Sequence, residues 1–316
     1  HVGWGETLFL REIWPESRLA VYAELYYAAR GLDVGFDPEF GATTDERAFS
    51  VTARQGHLAL AMAQADAALA PTRFQAGTFP ACFRDRIAVI HDGVDTDLVR
   101  PDPGARLTLP SGAVLRAGDE VLSFVNRNLE PYRGYHALMR ALPAVLAARP
   151  QAQVVIVGGD GVSYGPRPPE GAGWKDIFLS EVRDRLDLSR VHFLGRVPYA
   201  EFLALMQVTR VHAYLTVPFV LSWSLLEAMS AGASIVASAT PPVQEVITDG
   251  AEGRPVGVFD PAALESALID ALARPAAWAP LRAAARARVL RDYDLRRTCL
   301  PRLIDHVEGL APPLRA

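Results

Sequence analysis

The chain has 316 residues, half of them hydrophobic and 22% charged, with a formal net charge of −4. This is a folded composition sized for about two domains, and the missing basic excess excludes a nucleic-acid binder that works by neutralising phosphates. The two cysteines, Cys82 and Cys299, match no zinc or redox spacing, the histidines form no H-x-x-x-H pattern, and no run reaches the ~20 apolar residues of a membrane span.

The opening His1-Val2-Gly3-Trp4 has no Met and no signal peptide, so the chain is expected to begin inside a longer gene product. RLAVYAELYY (18–27) is a predicted strand. Residues 45–64 are a predicted helix with Phe49, Leu58, Leu60 and Met62 among its apolar positions. DAALAPT (66–72) and RIAVIHDG (86–93) are further strands, the last ending in a rim turn at His91–Asp95. Residues 100–119 carry Pro/Gly breaks and read as a linker. Only about three strands precede it. A complete doubly wound lobe has five or six, so the first lobe is expected to lack its opening βα units.

Beyond the linker the text alternates as βαβα. VLSFVNR (121–127), QVVIVGG (153–159), VHFLGRV (191–197), VHAYLTV (211–217), ASIVAS (233–238) and PVGVF (255–259) are strands. Residues 133–149, 175–187, 199–208, 222–231 and the Ala-rich 261–291 are helices, with a short one at PVQEVI. Continuous apolar strands separated by helices predict a parallel, doubly wound α/β lobe.

In such sheets ligands bind beyond the carboxyl ends of the strands. N-R-N-L-E-P-Y-R-G (126–134) puts Arg127 at a strand end and Arg133 at the start of the next helix. Two guanidiniums near a helix N-terminus form a diphosphate clamp; surface ion pairs are the bland alternative. PFVLSWSLLEAMSAG (218–232) begins a helix that Ser222 or Ser224 can cap, leaving first-turn N–H groups to hold a phosphate or sugar hydroxyl. Glu227 lies one turn in, among Leu225, Leu226, Ala228 and Met229. A carboxylate in that setting needs a partner, and paired ribose hydroxyls would supply one. GGDG (158–161) lacks the third glycine of a dinucleotide fingerprint and reads as a strand-end turn. His192 and His212 begin β runs and read as packed residues.

Six segments in order resemble the retaining nucleotide-sugar glycosyltransferases of family 4: ADAALAPT (65–72), IAVIHDGVDT (87–96), RNLEPYRG (127–134), VHFLGRVPYAEFLALM (191–206), SLLEAMSAG (224–232) and PPVQEVITDG (241–250). The resemblance implies the GT-B fold, two Rossmann-like lobes facing a cleft, with the first lobe incomplete. It implies transfer of a sugar from a nucleotide-diphosphate sugar to a glycan or lipid-linked acceptor, in bacterial polysaccharide synthesis, with no cofactor and no metal. Arg127 and Arg133 would hold the donor diphosphate and meet its developing charge, and Glu227 would bind the ribose. Arg196 and Val197 would flank the nucleobase. Phe219, Ser222, Trp223, Ser224 and Leu225 would line the phosphate and sugar. His1, as a catalytic group, and Glu24 would lie on the acceptor side.

Three departures stand out. Phe219 occupies the position of a second acid that normally addresses the donor sugar. The Arg127–Arg133 spacing is one residue longer than the family's. The family's opening units have no counterpart here. A catalytically impaired nucleotide-sugar-binding protein and a GT-B sugar-nucleotide epimerase therefore stay as alternatives. The domain reading is residues 1–112 for the first lobe, 113–290 for the donor lobe and 291–316 for a helix returning to the first lobe. The expected location is cytoplasmic, with peripheral membrane contact left open by the unknown acceptor.

Overall fold

The computed structural model describes residues 1–3 and 5–310. The chain divides into two compact units. One runs from His1 to Gly93 and adds Pro218–Leu221 and the described residues from Asp292 onward. The other comprises Val94–Val217 and Ser222–Arg291.

The first unit holds a three-stranded parallel sheet in the order β1 (Ala20–Tyr22), β2 (Ala67–Ala70), β3 (Ile87–Val89). The helix Asp45–Gln64 is capped by the Thr44 side chain, which accepts from the Arg47 N–H. It buries Leu58, Ala61 and Met62 in a core shared with Val21, Ala68, Ala70 and Phe79. Phe49 and Leu60, two of the apolar positions read in this helix, are exposed. The C-terminal segment joins this unit through the turn Leu295–Cys299. A Cβ on Gly93 would lie 2.6 Å from Leu295 Cα, and Cys299 is buried. Arg302 also donates to the Val89 carbonyl at 2.9 Å. Leu300 and Ile304 of the following helix, Leu300–Glu308, are 41% and 45% exposed. Those two apolar side chains therefore do not carry the attachment.

The boundary between units falls at Gly93/Val94, not at residue 112. The supposed linker is an antiparallel hairpin of β4 (Arg106–Thr108) and β5 (Val114–Arg116) within the second unit. Its alternation buries Leu107 and Leu115 while their neighbours face water.

The second unit is built on six parallel strands: β6 (Val121–Asn128), β7 (Gln153–Gly159), β8 (Val191–Gly195), β9 (Val211–Tyr214), β10 (Ser234–Ser238) and β11 (Arg254–Val256). Their spatial order is β8-β7-β6-β9-β10-β11. That is the doubly wound order 3-2-1-4-5-6, whose direction of winding reverses between β6 and β9. Strands covered by helices on both faces need apolar residues throughout, and Val121, Leu122, Phe124, Val154, Val155 and Ile156 are all fully buried. Leu138, Leu142, Val145 and Leu146 form the buried stripe of the helix Tyr135–Ala148, as their spacing predicts.

β6 and β9 pair at only two positions, Leu122↔Val211 and Ser123↔His212. That second pair is sealed by a 2.9 Å hydrogen bond between Ser123 Oγ and His212 Nδ1. His212 is fully buried, and burial pushes its imidazole down to about 3. Between that value and the ordinary histidine range, the unfolded chain binds a proton that the folded chain refuses. Stability from this site is therefore present above the ordinary value and lost as pH falls. The urea midpoint is expected to drop between pH 6.5 and pH 4. The drop should be smaller in His212→Asn, which cannot titrate; equal drops would remove His212 as the cause.

Candidate donor site

The winding reversal leaves a crevice past the carboxyl ends of β6 and β9, the place where open α/β sheets bind ligands. Arg133 fills the gap between the two chain segments. It lies at the end of a single 3-10 turn, Pro131–Arg133, closed by Gly134 in the left-handed conformation at φ 68°. A side chain at Gly134 would meet Leu215 Cβ at 2.3 Å, so only glycine fits both the φ and the space. Arg133 is 7% exposed and donates to Thr216 Oγ1 at 3.0 Å. It also hydrogen-bonds the hydroxyl of Tyr214. That hydroxyl accepts the Ser222 N–H at 2.7 Å. One guanidinium is thus tied, through Tyr214, to the start of the helix Trp223–Ala231.

Arg127 is exposed at the end of β6. Both guanidiniums lie 5.8 Å from the centre of the Tyr164 ring, so one aromatic ring meets the two predicted clamp residues. Arg196 reaches the same rim, with its Nη2 donating to Asn128 Oδ1 at 3.5 Å. Asn128 in turn donates to Ser163 Oγ at 2.7 Å.

The helix Trp223–Ala231 starts at Ser222, but neither serine caps it. The Ser222 and Ser224 hydroxyls meet each other at 3.2 Å instead. The positive end of the helix dipole therefore lacks a capping bond from the Ser222 side chain. Leu225 is fully buried and Trp223 is 59% exposed. Glu227 accepts a 2.9 Å hydrogen bond from Tyr199 Oη. Burial raises the Glu227 carboxyl above its ordinary range, and the Tyr199 bond opposes that shift. Glu227 is thus a half-buried, partnered carboxylate at the crevice and not a core residue.

In the first unit, His1 Nε2 lies 3.2 Å from Glu24 Oε2, so the two acceptor-side candidates pair with each other. The Glu24 hydrogen bond raises His1 above the ordinary imidazole range. His1 also stacks on Tyr22 at 5.6 Å, and Tyr22 Oη donates to Asp92 at 3.0 Å. Phe219, 2% exposed, belongs to the stretch that groups with this unit. Val197 has no described polar contact that distinguishes it.

Sequence reasoning missed Glu130, Tyr164, Tyr199, Tyr214 and Thr216. Glu130 stood inside the quoted arginine motif, and a buried acid between two arginines was the available signal. Tyr199 sat inside VHFLGRVPYAEF. Nothing local marked Tyr164 or Thr216, because their roles come from strand order.

A doubly wound sheet with buried arginine, an uncapped helix start and a half-buried acid at its switch point defines a nucleotide-binding α/β unit of the GT-B class. Two family descriptions match, "Glycosyl transferase family 4 group" over residues 1–99 and "Glycosyl transferases group 1" over residues 119–274. The chain belongs to this glycosyltransferase family. It is 31% identical over 219 residues to the D-inositol 3-phosphate glycosyltransferase of Streptomyces avermitilis, covering 64% of this chain and 43% of that protein. It is 31% identical over 199 residues to the phosphatidyl-myo-inositol mannosyltransferase of Mycolicibacterium smegmatis, covering 61% of this chain and 47% of that one. The chain spans under half of each of these relatives. Among solved structures, HepE of Anabaena in complex with UDP superposes with a TM-score of 0.67 at 18% identity, over 95% of this chain and 74% of that one. The C-terminal domain of the group 1 glycosyl transferase LpcC of Francisella tularensis superposes with a TM-score of 0.54 at 16% identity, over 65% of this chain and all of that domain.

Because the Glu227 carboxyl is raised above its unfolded value, its contribution to stability is present at acid pH and lost as pH rises through the folded value. Ionised Glu227 therefore costs stability at neutral pH. Glu227→Gln, which still accepts from Tyr199, is expected to raise the melting temperature at pH 7 and to leave it nearly unchanged at pH 4. A lower melting temperature at pH 7 would contradict this.

Proposed function

We propose that this protein is a glycosyltransferase that moves a sugar from a nucleotide-diphosphate sugar to an acceptor, with retention of the anomeric configuration. The observation that carries this reading is Arg133, buried at the β6–β9 switch point beside an uncapped helix start. Arg127 and Arg133 grip the donor diphosphate. As the glycosidic bond breaks, negative charge grows on the leaving phosphate oxygens. The two guanidiniums and the helix dipole stabilise that charge from fixed positions, and no resident metal is required. Glu227 accepts hydrogen bonds from the ribose, and Arg196 and Val197 flank the base.

The acceptor is a hydroxyl of a glycan or of a lipid-linked sugar in bacterial polysaccharide synthesis. The relatives named above, with their inositol-containing acceptors, support a polyhydroxylated acceptor. Among the described residues no helix is long and apolar enough to cross a membrane; peripheral contact with a lipid-linked acceptor is part of this proposal. Buried Phe219, where an acid would address the donor sugar, favours a second reading, nucleotide-sugar binding without turnover.

Incubation with UDP-, GDP- and ADP-sugars, followed by nucleotide release and mass spectrometry of the acceptor, separates the two. Release coupled to a glycosylated product with the donor's anomeric configuration supports transfer. Binding without release supports the second reading. Arg133→Ala and Arg127→Ala each remove a charge-assisted contact and are expected to weaken the bound nucleoside diphosphate about 10- to 150-fold. Glu227→Gln is expected to weaken nucleoside diphosphates more than inorganic pyrophosphate, which has no ribose.

A further inference from the structure

Segment 160–173 follows β7 and carries no helix or strand. It is nevertheless pinned at two points. Glu130, 1% exposed, turns its carboxylate into the loop and accepts from three successive backbone N–H groups. These are Ser163 at 3.1 Å, Tyr164 at 3.3 Å and Gly165 at 3.1 Å. Trp174 Nε1 donates to the Pro166 carbonyl at 2.9 Å and fixes the far side. Burying a carboxylate is costly unless its oxygens are satisfied, and here a single backbone stretch satisfies them. The residue in the middle of that stretch is Tyr164, whose ring meets both Arg127 and Arg133.

We propose that Tyr164, held in place by Glu130, is a positioning residue of the diphosphate clamp. This rests on the reading of Arg127 and Arg133 as that clamp. An aromatic face attracts a guanidinium without neutralising it, whereas a carboxylate in the same place would cancel the charge the diphosphate needs. Arg127 is exposed and long, and without the ring it samples many rotamers that must be lost on binding. The ring removes part of that cost in advance. Glu130 supplies the anchor: its two oxygens accept only, which matches three converging N–H donors. A glutamine at 130 would turn an NH₂ toward one of them. The sequence pattern follows the same need, since a Cβ on Gly165 would meet the Tyr132 ring at 3.1 Å and Glu130 Oε2 at 3.4 Å.

The test is titration of the protein with UDP, GDP and inorganic pyrophosphate, with melting temperatures recorded for every variant. Tyr164→Ala is expected to weaken all three ligands about 5- to 20-fold, by loss of the stacked restraint on two guanidiniums. Tyr164→Phe keeps the ring face and should recover binding to within about twofold. Glu130→Gln should fall in the same direction as Tyr164→Ala. Should that variant fail to fold, Tyr164→Ala alone carries the test. In the ligand-free protein the Nε–Hε resonances of Arg127 and Arg133 should lose a ring-current shift in Tyr164→Ala and keep it in Tyr164→Phe. Tyr164→Ala binding as tightly as wild type, while Arg133→Ala binds weakly, would overturn the role of the ring and leave the clamp standing. Full binding by both variants would overturn the clamp itself, and the proposal with it.

Discussion

β6 and β9 are pulled apart by their other neighbours, and the second unit depends on that separation. β6 continues along β7 as far as Asn128↔Gly159, with a register shift after Val125. β9 continues along β10 as far as Tyr214↔Ala237. Between them the ladder stops after Ser123↔His212. Beyond that point the two chain segments meet again only locally, where the Val217 N–H donates to the Tyr132 carbonyl at 3.1 Å, and side chains span the rest of the gap. Arg133 and Thr216 form that bridge. The dry Ser123–His212 bond sits beneath it. His212 Nε2 has no partner among the described residues, which fits a neutral ring held in a wholly buried place.

The same crevice keeps apart groups that would neutralise one another if they met. Guanidiniums gather at the β6 side, and a half-buried acid stands on the helix Trp223–Ala231. Such an arrangement suits a ligand that is anionic at one end and hydroxylated at the other. Arg133 is pre-bonded to hydroxyls and an aromatic face, and Glu227 to one phenol. Neutral partners of this kind orient a charge while leaving its field available, so little reorganisation is needed when a ligand charge arrives. The elevated Glu227 carboxyl records the cost of keeping that charge ready in the absence of a ligand.

How much of this could be read from the sequence follows from the kind of signal each feature leaves. The strands QVVIVGG and VLSFVNR announced themselves because burial on both faces forces continuous apolar runs. The half-buried setting of Glu227 was legible because four apolar residues flank it in the sequence. The β4–β5 hairpin was missed because Pro and Gly at its ends outweighed a short alternation with one buried residue per strand. The serines before the helix were read as caps from residue type, yet cap geometry depends on where the hydroxyl points. Thr216 and Tyr164 were invisible for a deeper reason. Their partners lie 83 and 31 to 37 positions away, and only the strand order brings them close. Sequence patterns encode faces and ends well, but they do not encode which strand ends become neighbours.

The first unit shows how geometry narrows a role that residue type leaves wide. A histidine near a carboxylate invites assignment as a proton acceptor. Here the Gly3 N–H donates to His1 Nδ1 at 3.0 Å, which fixes that nitrogen as an acceptor. Nε2 must then carry the proton, and it faces Glu24. Both ring nitrogens are engaged, so taking up a proton at Nδ1 would break the Gly3 bond. Glu24 favours the charged ring electrostatically, which makes the pair close to neutral as a unit. Tyr22, stacked beneath, stays a phenol because burial and Asp92 both disfavour its ionisation. The Glu24 carboxylate stays partly exposed beside the ring it pairs with. In this geometry His1 is the partner of Glu24 and not a free imidazole.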